Sequence, residues 1–246
     1  MNLINSVLKK FNQVEDAAKE LAKQNLPTHP DFVKCWDTWK MVDFIKKNGT
    51  KEMNVLDVGC NGSPILPFLK KLGFTNLYGC DIDLKIRKRK LLRRLKNKVS
   101  NKDPDKLINE MIVNKNNFYN LSIQDLQNTG YIDKKFDFIT SLSVIEHGVN
   151  IKNYFKEMNR ILKTEGYLLT STDFWPEKIE TISDIYNTGN NDIIFDKAEI
   201  KEIIRDAEEE GFQLIEPINF EFQDKVVYWK KTNKRYTFIF FCLQKK

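Results

Sequence analysis

Apolar and polar positions change their period several times along the chain, and each change marks an element. Leu3, Val7, Leu8, Phe11, Val14, Ala18 and Leu21 fall on one stripe, which predicts an amphipathic helix over residues 1 to 23. Its apolar face would pack on the domain or on a sister copy. A proline-punctuated loop holding His29 then leads into a helix bearing Trp36 and Trp39. The apolar run Val55 to Val58 reads as a strand. Ile65, Phe68, Leu69 and Leu72 recur at helical spacing, with Gly73 closing the helix. A second strand runs from Asn76 to Cys80. Leu84, Leu91, Leu95 and Val99 lie near one face of a further helix, and Leu107, Ile108, Met111 and Ile112 suggest a shorter one.

The second half repeats the alternation. Phe136 to Val144 reads as a strand, followed by a helix with Ile151, Tyr154, Phe155, Met158, Ile161 and Leu162 on one face. Tyr167 to Thr172 is the next strand. Asp196 and Glu199 have the spacing of a capping box, ahead of Ile200, Ile203, Ile204 and Ala207, and Gly211 ends that helix. Phe212 to Ile215 and the apolar run Thr237 to Leu243 complete the set. Strands alternating with helices predict an open α/β sheet.

Composition changes this picture little. With 246 residues, 41% of them hydrophobic and 30% charged, the chain suits one domain with a full core. Four scattered cysteines, no Cys-x-x-Cys pair and two histidines argue against structural zinc and for a reducing, cytoplasmic setting. No apolar run is long enough to span a membrane, so membrane insertion is not expected. Charge changes more. Residues 85 to 98 hold nine Lys or Arg and no acid, and they alone turn a remainder of −3 into the net +6. The segment reads first as a solvated helix face, then as a patch facing an acceptor's phosphate, then as a nucleic-acid contact.

The chemistry concentrates between Val55 and Pro64. A strand ends in Asp57 and Gly59, turns tightly, and enters a helix with Ser63 as N-cap and Pro64 at the first helical position. Such a turn bares backbone N–H groups to a carboxylate or phosphate. Asp81 ends the next strand, where a βαβ unit puts the acid that holds ribose hydroxyls. The Gly-x-Gly-x-x-Gly spacing of nicotinamide-binding folds is absent.

The stretch Val55-Leu56-Asp57-Val58-Gly59-Cys60-Asn61-Gly62-Ser63-Pro64, with Asp81 after it, resembles motif I of the class I S-adenosylmethionine-dependent methyltransferases. Asn61 and Ser63 stand where that family usually has glycine, and Asn61 is expected to keep the turn by adopting a left-handed conformation. The resemblance implies a Rossmann-like seven-stranded sheet of order 3-2-1-4-5-7-6, strand 7 antiparallel, with helices on both faces. Residues 1–49 would form a helical lid segment, and 50–246 the methyltransferase domain with a basic helical insertion near 84–117.

It further implies S-adenosyl-L-methionine as cofactor, held by Asp57, Gly59, Cys60, Asn61, Asp81, Ile82, Asp125, Leu126 and Ser141. Asp81 would hold the ribose and Asp125 the adenine. His147, Asp173 and Glu146 stand at the ends of strands 4 and 5, as proton acceptors or as ligands of a divalent cation, which is not favoured. His29, Trp36, Trp175 and Tyr186 would build the acceptor pocket.

The segment Thr172-Asp173-Phe174-Trp175-Pro176-Glu177 resembles bacterial members that modify surface-polysaccharide or nucleotide-sugar precursors. The implied activity is O-methylation of a small, sugar-like, nucleotide-linked or phosphorylated acceptor, with a homodimer left open. The alternatives are an RNA or other nucleic-acid methyltransferase using the basic helix, and a non-catalytic cofactor-binding relative. Against the nucleic-acid reading, Leu142-Ser143-Val144-Ile145-Glu146 stands where amino-methylating DNA enzymes carry an Asn/Asp-Pro-Pro-Tyr type motif.

Overall fold

The computed structural model describes residues 4–82, 119–181 and 192–246. The expected basic insertion near 84–117 and Tyr186 lie outside the described residues. In chain order the elements are β1 (Ser6–Val7), α1 (Asn12–Lys23), a 3-10 turn (Phe32–Lys34), α2 (Cys35–Asn48), β2 (Val55–Val58), α3 (Ile65–Lys71) and β3 (Leu77–Asp81). Then follow β4 (Asn120–Ile123), β5 (Phe136–Leu142), α4 (Ile151–Ile161), β6 (Leu162–Phe174), α5 (Lys197–Glu209), β7 (Phe212–Leu214), β8 (Val227–Trp229) and β9 (Lys234–Lys245).

The strands form one sheet. Its path runs β1-β9-β6-β5-β2-β3-β4, with β7 and β8 also paired to β9. From β6 to β4 all pairing is parallel, while β9 is antiparallel to each of its neighbours. Nine strands therefore replace the expected seven, and the order differs from 3-2-1-4-5-7-6 because β1 and β8 join β7 on the outer edge of β9. On that edge β8 meets Lys234 to Tyr236, β1 meets Ile239 and Phe240, and β7 meets Leu243 to Lys245.

Helices cover both faces of the sheet. On β9, Phe238, Phe240 and Cys242 join the core under α1, α2 and α3, whereas Ile239, Phe241 and Leu243 join the core under α4 and α5. A strand buried on both sides cannot alternate polar and apolar residues, which is why its sequence reads as one apolar run. Each fully buried large side chain contributes about 1.5–3 kcal/mol. The N-terminal segment belongs to the first of these cores through Val14, Leu21, Trp36 and Met41.

Three local expectations are corrected. The amphipathic helix does not run from residue 1 to 23: Ser6 and Val7 are a strand, and the helix starts at Asn12. The open edge of β9 supplies hydrogen-bond partners that outweigh the helical pattern. Leu8 N–H donates to Phe238 O at 2.8 Å, and Cys242 N–H donates to the buried Asn5 Oδ1 at 2.8 Å. Ser63 is not the N-cap of α3. Pro64 occupies that position with helical backbone, and Ser63 Oγ accepts instead from Ile65 N–H at 3.3 Å. Asn61 is not left-handed; Gly59 and Gly62 take that conformation, at φ +64° and +94°.

The capping box at α5 forms as expected. Asp196 Oδ1 accepts from Ala198 and Glu199 N–H at 2.8 and 2.9 Å, and Glu199 Oε2 accepts from Asp196 N–H at 2.9 Å. Replacing Asp196 by Ala should cost about 1 kcal/mol of stability. A urea midpoint indistinguishable from wild type would show that α5 is held by packing alone.

Candidate active site

The carboxyl ends of the parallel strands gather the chemistry, as expected for an open α/β sheet. β2 and β3 pair in register, Val58 opposite Cys80, so the turn after β2 lies beside Asp81. Asn61 N–H donates to Asp81 Oδ2 at 3.0 Å, and Cys60 N–H donates to Cys80 O at 3.1 Å. Gly59 allows close approach here: a Cβ at this position would stand 2.5 Å from Val144 Cγ2. Below the turn, Asp57 is fully buried, and Thr140 Oγ1 donates to its Oδ1 at 2.6 Å. Burial pushes the Asp57 carboxyl up to about 7, against the pull of the Thr140 and Ser63 hydroxyls.

A cavity of about 290 Å³ opens above the turn, lined by Gly59, Asn61, Asp81, Ile82, Asp125, Leu126, Ser143 and His147 among others. Seven of the residues expected at the cofactor or at the transfer step thus share one cleft. Asp125 is exposed, and its Oδ1 accepts from Gln127 N–H at 2.9 Å, so it shapes its own turn as well. Cys60 lines an adjoining recess with Tyr119 and Leu121. Ser141 is fully buried within β5, and Ser143, two residues on, stands at the cleft instead.

The donor set fits an adenosyl group: two carboxylates for hydroxyl and amino donors, apolar side chains beside them, and a glycine turn that a side chain would fill. Among the described residues, no group of three or more His, Cys, Asp or Glu is placed to hold a metal ion.

His147 sits at one end of the cleft. Its Nδ1 lies 2.6 Å from Asp192 Oδ1, a contact that makes Nδ1–H the donor. Burial alone would lower this imidazole, but Glu146, the Asp192 hydrogen bond and Asp173 together raise it. Glu146 is only 2% exposed. Its Oε2 accepts from Thr172 Oγ1 at 2.9 Å, while its Oε1 has no hydrogen-bond partner among the described residues. Asp173 lies on β6 opposite Phe238 of β9. Burial first, then the charge of Glu146, push its carboxyl up to about 7, with Lys34, Tyr236 and His147 pulling the other way.

The other expected acceptor residues that are described do not line this cleft, although His29 lies within reach of the charges of Asp37 and Lys34. Trp36 is buried in the core and lines the cleft between α1 and α2, and Trp39 packs beside it. Trp175 is buried against Phe222, ring centroids 5.0 Å apart, with Lys225 Nζ 4.5 Å above it. His29 Nδ1 accepts from Asp31 N–H at 2.9 Å and closes a local turn.

Four residues at the site had no sequence signal. Lys34 and Asp37 are an i,i+3 pair that reads as a solvated helix face, yet Asp37 is fully buried and Lys34 nearly so. Asp192 reaches His147 across 45 residues. Ser143 carries a positive φ of +52°, which nothing in its neighbours announces.

Residues 40–217 match a family described as a methyltransferase domain. A mitochondrial ubiquinone biosynthesis O-methyltransferase of Dictyostelium discoideum is 32% identical over 121 residues, 49% of this chain. The match spans about a third, 35%, of that relative's length. Among solved structures, the cyclase SpnF superposes with a TM-score of 0.58 at 12% identity, over 95% of this chain and 93% of its own. A geranyl diphosphate methyltransferase in complex with S-adenosylmethionine superposes with a TM-score of 0.56 at 10% identity, over 84% of each chain. At such identities the structures share the fold.

Asp57 makes stability depend on pH in a definite direction. Its folded-state affinity for a proton exceeds the unfolded one, so its stabilising protonated form is lost as pH rises from the ordinary 3.8 towards about 7. Asp57→Asn keeps the shape without the charge. Its urea midpoint should gain on wild type between about pH 4 and 7 and run parallel above. A gap independent of pH would show that Asp57 is ionised throughout.

Proposed function

The chain belongs to the methyltransferase-domain family, with S-adenosyl-L-methionine as cofactor, and on that premise we propose that it methylates a hydroxyl of a small-molecule acceptor. One observation carries the reading: the Gly59 turn, Asp81 and Asp125 line the same cleft as His147. When bound, the cofactor supplies a methyl group already activated on a sulfonium. The protein's part is then positioning and proton removal.

In this reading Gly59 and its neighbours in the turn face the methionine part, Asp57 braces that turn from below, Asp81 accepts from the ribose hydroxyls and Asp125 from the adenine amino group. Ile82 and Leu126 flank the base. His147, oriented by Asp192, and Asp173 are the proton acceptors on the acceptor side, with Glu146 behind them. The Dictyostelium relative, an O-methyltransferase, favours a hydroxyl as the methylated group. The finer acceptor class, a sugar-like, nucleotide-linked or phosphorylated precursor of a surface polysaccharide, rests on the Thr172–Glu177 resemblance and on the basic residues between 85 and 98. The same basic residues are what would favour RNA instead.

The deciding assay is S-adenosylhomocysteine release with nucleotide sugars, phosphorylated metabolites, hydroxylated aromatics and bulk RNA in separate arms. Turnover on a nucleotide-linked compound supports the finer class. Turnover on a hydroxylated aromatic keeps the O-methyl reading and discards the polysaccharide one, and turnover on RNA alone overturns both.

Two variants test the roles. Asp81→Ala should weaken cofactor binding about 10- to 100-fold by calorimetry, the weight of a hydrogen bond to a charged group. Unchanged affinity would remove Asp81 from the ribose. Asp173→Asn should lower kcat by about 10²-fold while cofactor affinity stays within about twofold. Full turnover would exclude Asp173 from proton transfer.

A further inference from the structure

Lys34 is buried among acids. Its side chain is 13% exposed and that of Asp37 fully buried, with Nζ to Oδ2 at 3.2 Å. The same ammonium donates to Ser143 Oγ and lies 3.6 Å from the centroid of the Phe238 ring. Asp37 in turn accepts from Ser171 Oγ at 2.6 Å. Ser171 and Asp173 are two apart on β6 and pair with Phe240 and Phe238, so both share the sheet face over which Lys34 lies. Ser143 is a wall of the cleft, and its N–H donates to Ser171 O at 2.9 Å. One cation therefore touches the cleft wall, a buried acid on α2 and the aromatic neighbour of Asp173.

An ammonium has three N–H donors. Here two point to Asp37 and Ser143, and the charge also faces the ring of Phe238. Such a group is held in place rather than free to follow solvent. Burial would strip its proton, but Asp37, Asp173 and Glu146 together hold it charged.

We propose that Lys34 is a positioning residue of the transfer site: it pins the Ser143 hydroxyl at the cleft wall and fixes a positive charge over Phe238, on the sheet face that carries Asp173, as the counter-charge to Asp173 and Glu146. The inference rests on the reading that Asp173 takes part in transfer. The groups facing Asp173 are Lys34 from the 3-10 turn, Glu146 and His147 from the segment after β5, and Tyr236 from β9. Behind them, Asp37 holds Lys34 and Asp192 holds His147. Lys34 is the one lysine among them, so its removal leaves Glu146 and Asp173 facing each other without it.

The test is a carboxyl titration of the full chain, labelled with carbon-13 at the aspartate side-chain carboxyl and read by NMR, the Asp173 signal being assigned by its loss in Asp173→Asn. Lys34→Gln keeps hydrogen bonding and volume but removes the charge. The Asp173 midpoint should rise by about 1 pH unit or more, the effect of losing a nearby opposite charge. Turnover at pH 7 should fall about 5-fold or more and recover as pH is raised, since a carboxyl half-ionised at pH 7 is only about one-tenth ionised once its midpoint rises by one unit. Lys34→Arg should bring the midpoint back towards wild type.

An unmoved midpoint in folded Lys34→Gln overturns the inference and leaves Lys34 a structural clamp for α2. If Lys34→Gln does not fold, Asp37→Asn decides: with one acid fewer sharing the ammonium, the Asp173 midpoint should fall, and no movement overturns the inference. Full turnover in Asp173→Asn would instead sink the functional reading, and the titration would still judge Lys34 separately.

Discussion

The parallel pairing of β2 with β3 is the constraint on which the site depends. Val55 to Val58 lie opposite Leu77 to Cys80, so the chain leaves both strands at the same level. Only then can the amide of Asn61 reach the carboxylate of Asp81. That bond uses one acid to fix a turn and to border a cleft at once. Gly79 shows how tight the arrangement is: a Cβ there would come within 3 Å of Leu121, Cys60 and Leu66 side chains. The turn, the acid and the floor of the cleft are thus parts of one packed unit, not a loop laid over a scaffold.

The proposed acceptor side is built differently. Its groups come from the N-terminal turn, the segment after β5, β6 and the segment before α5, and they are joined by charge more than by backbone. Lys34 with Asp37, and His147 with Asp192, are two cation–acid pairs around Glu146 and Asp173. Leaving an acid buried without a partner is costly, so the surplus appears as protonation of Asp173 near neutrality. Small movements of any one member alter the proton affinity of the rest.

Much of this could be read from the chain because the first half of the site is local. Asp57, Gly59 and Asp81 lie in a strand–turn–helix–strand run whose spacing is its own signature, and the alternation of strands and helices announced the α/β sheet. The strand at Ser6–Val7 could not be read. Two residues carry no period, and their partner, Ile239 and Phe240, lies more than 200 residues away. The same holds for Asp192 beside His147. Lys34 and Asp37 failed for another reason: an i,i+3 pair of opposite charges looks alike whether water or a sheet covers it. Trp36 and Trp175 carry a similar ambiguity, since aromatics serve both cores and pockets, and here both are buried in the core.

The shared edge of β9 has a consequence for how the molecule comes into being. Asn5 accepts from Cys242 across 237 positions of chain, and β1, β7 and β8 all wait for β9 as their only strand partner among the described residues. On the ribosome, β9 is made after all of them. The parallel strands and their helices can assemble early, while Ser6 and Val7 cannot pair until Ile239 and Phe240 have been made. Long-range closure of this kind is slow, and the waiting edges are open to wrong partners. Among the described strands, the one made last is therefore the one that seals the sheet.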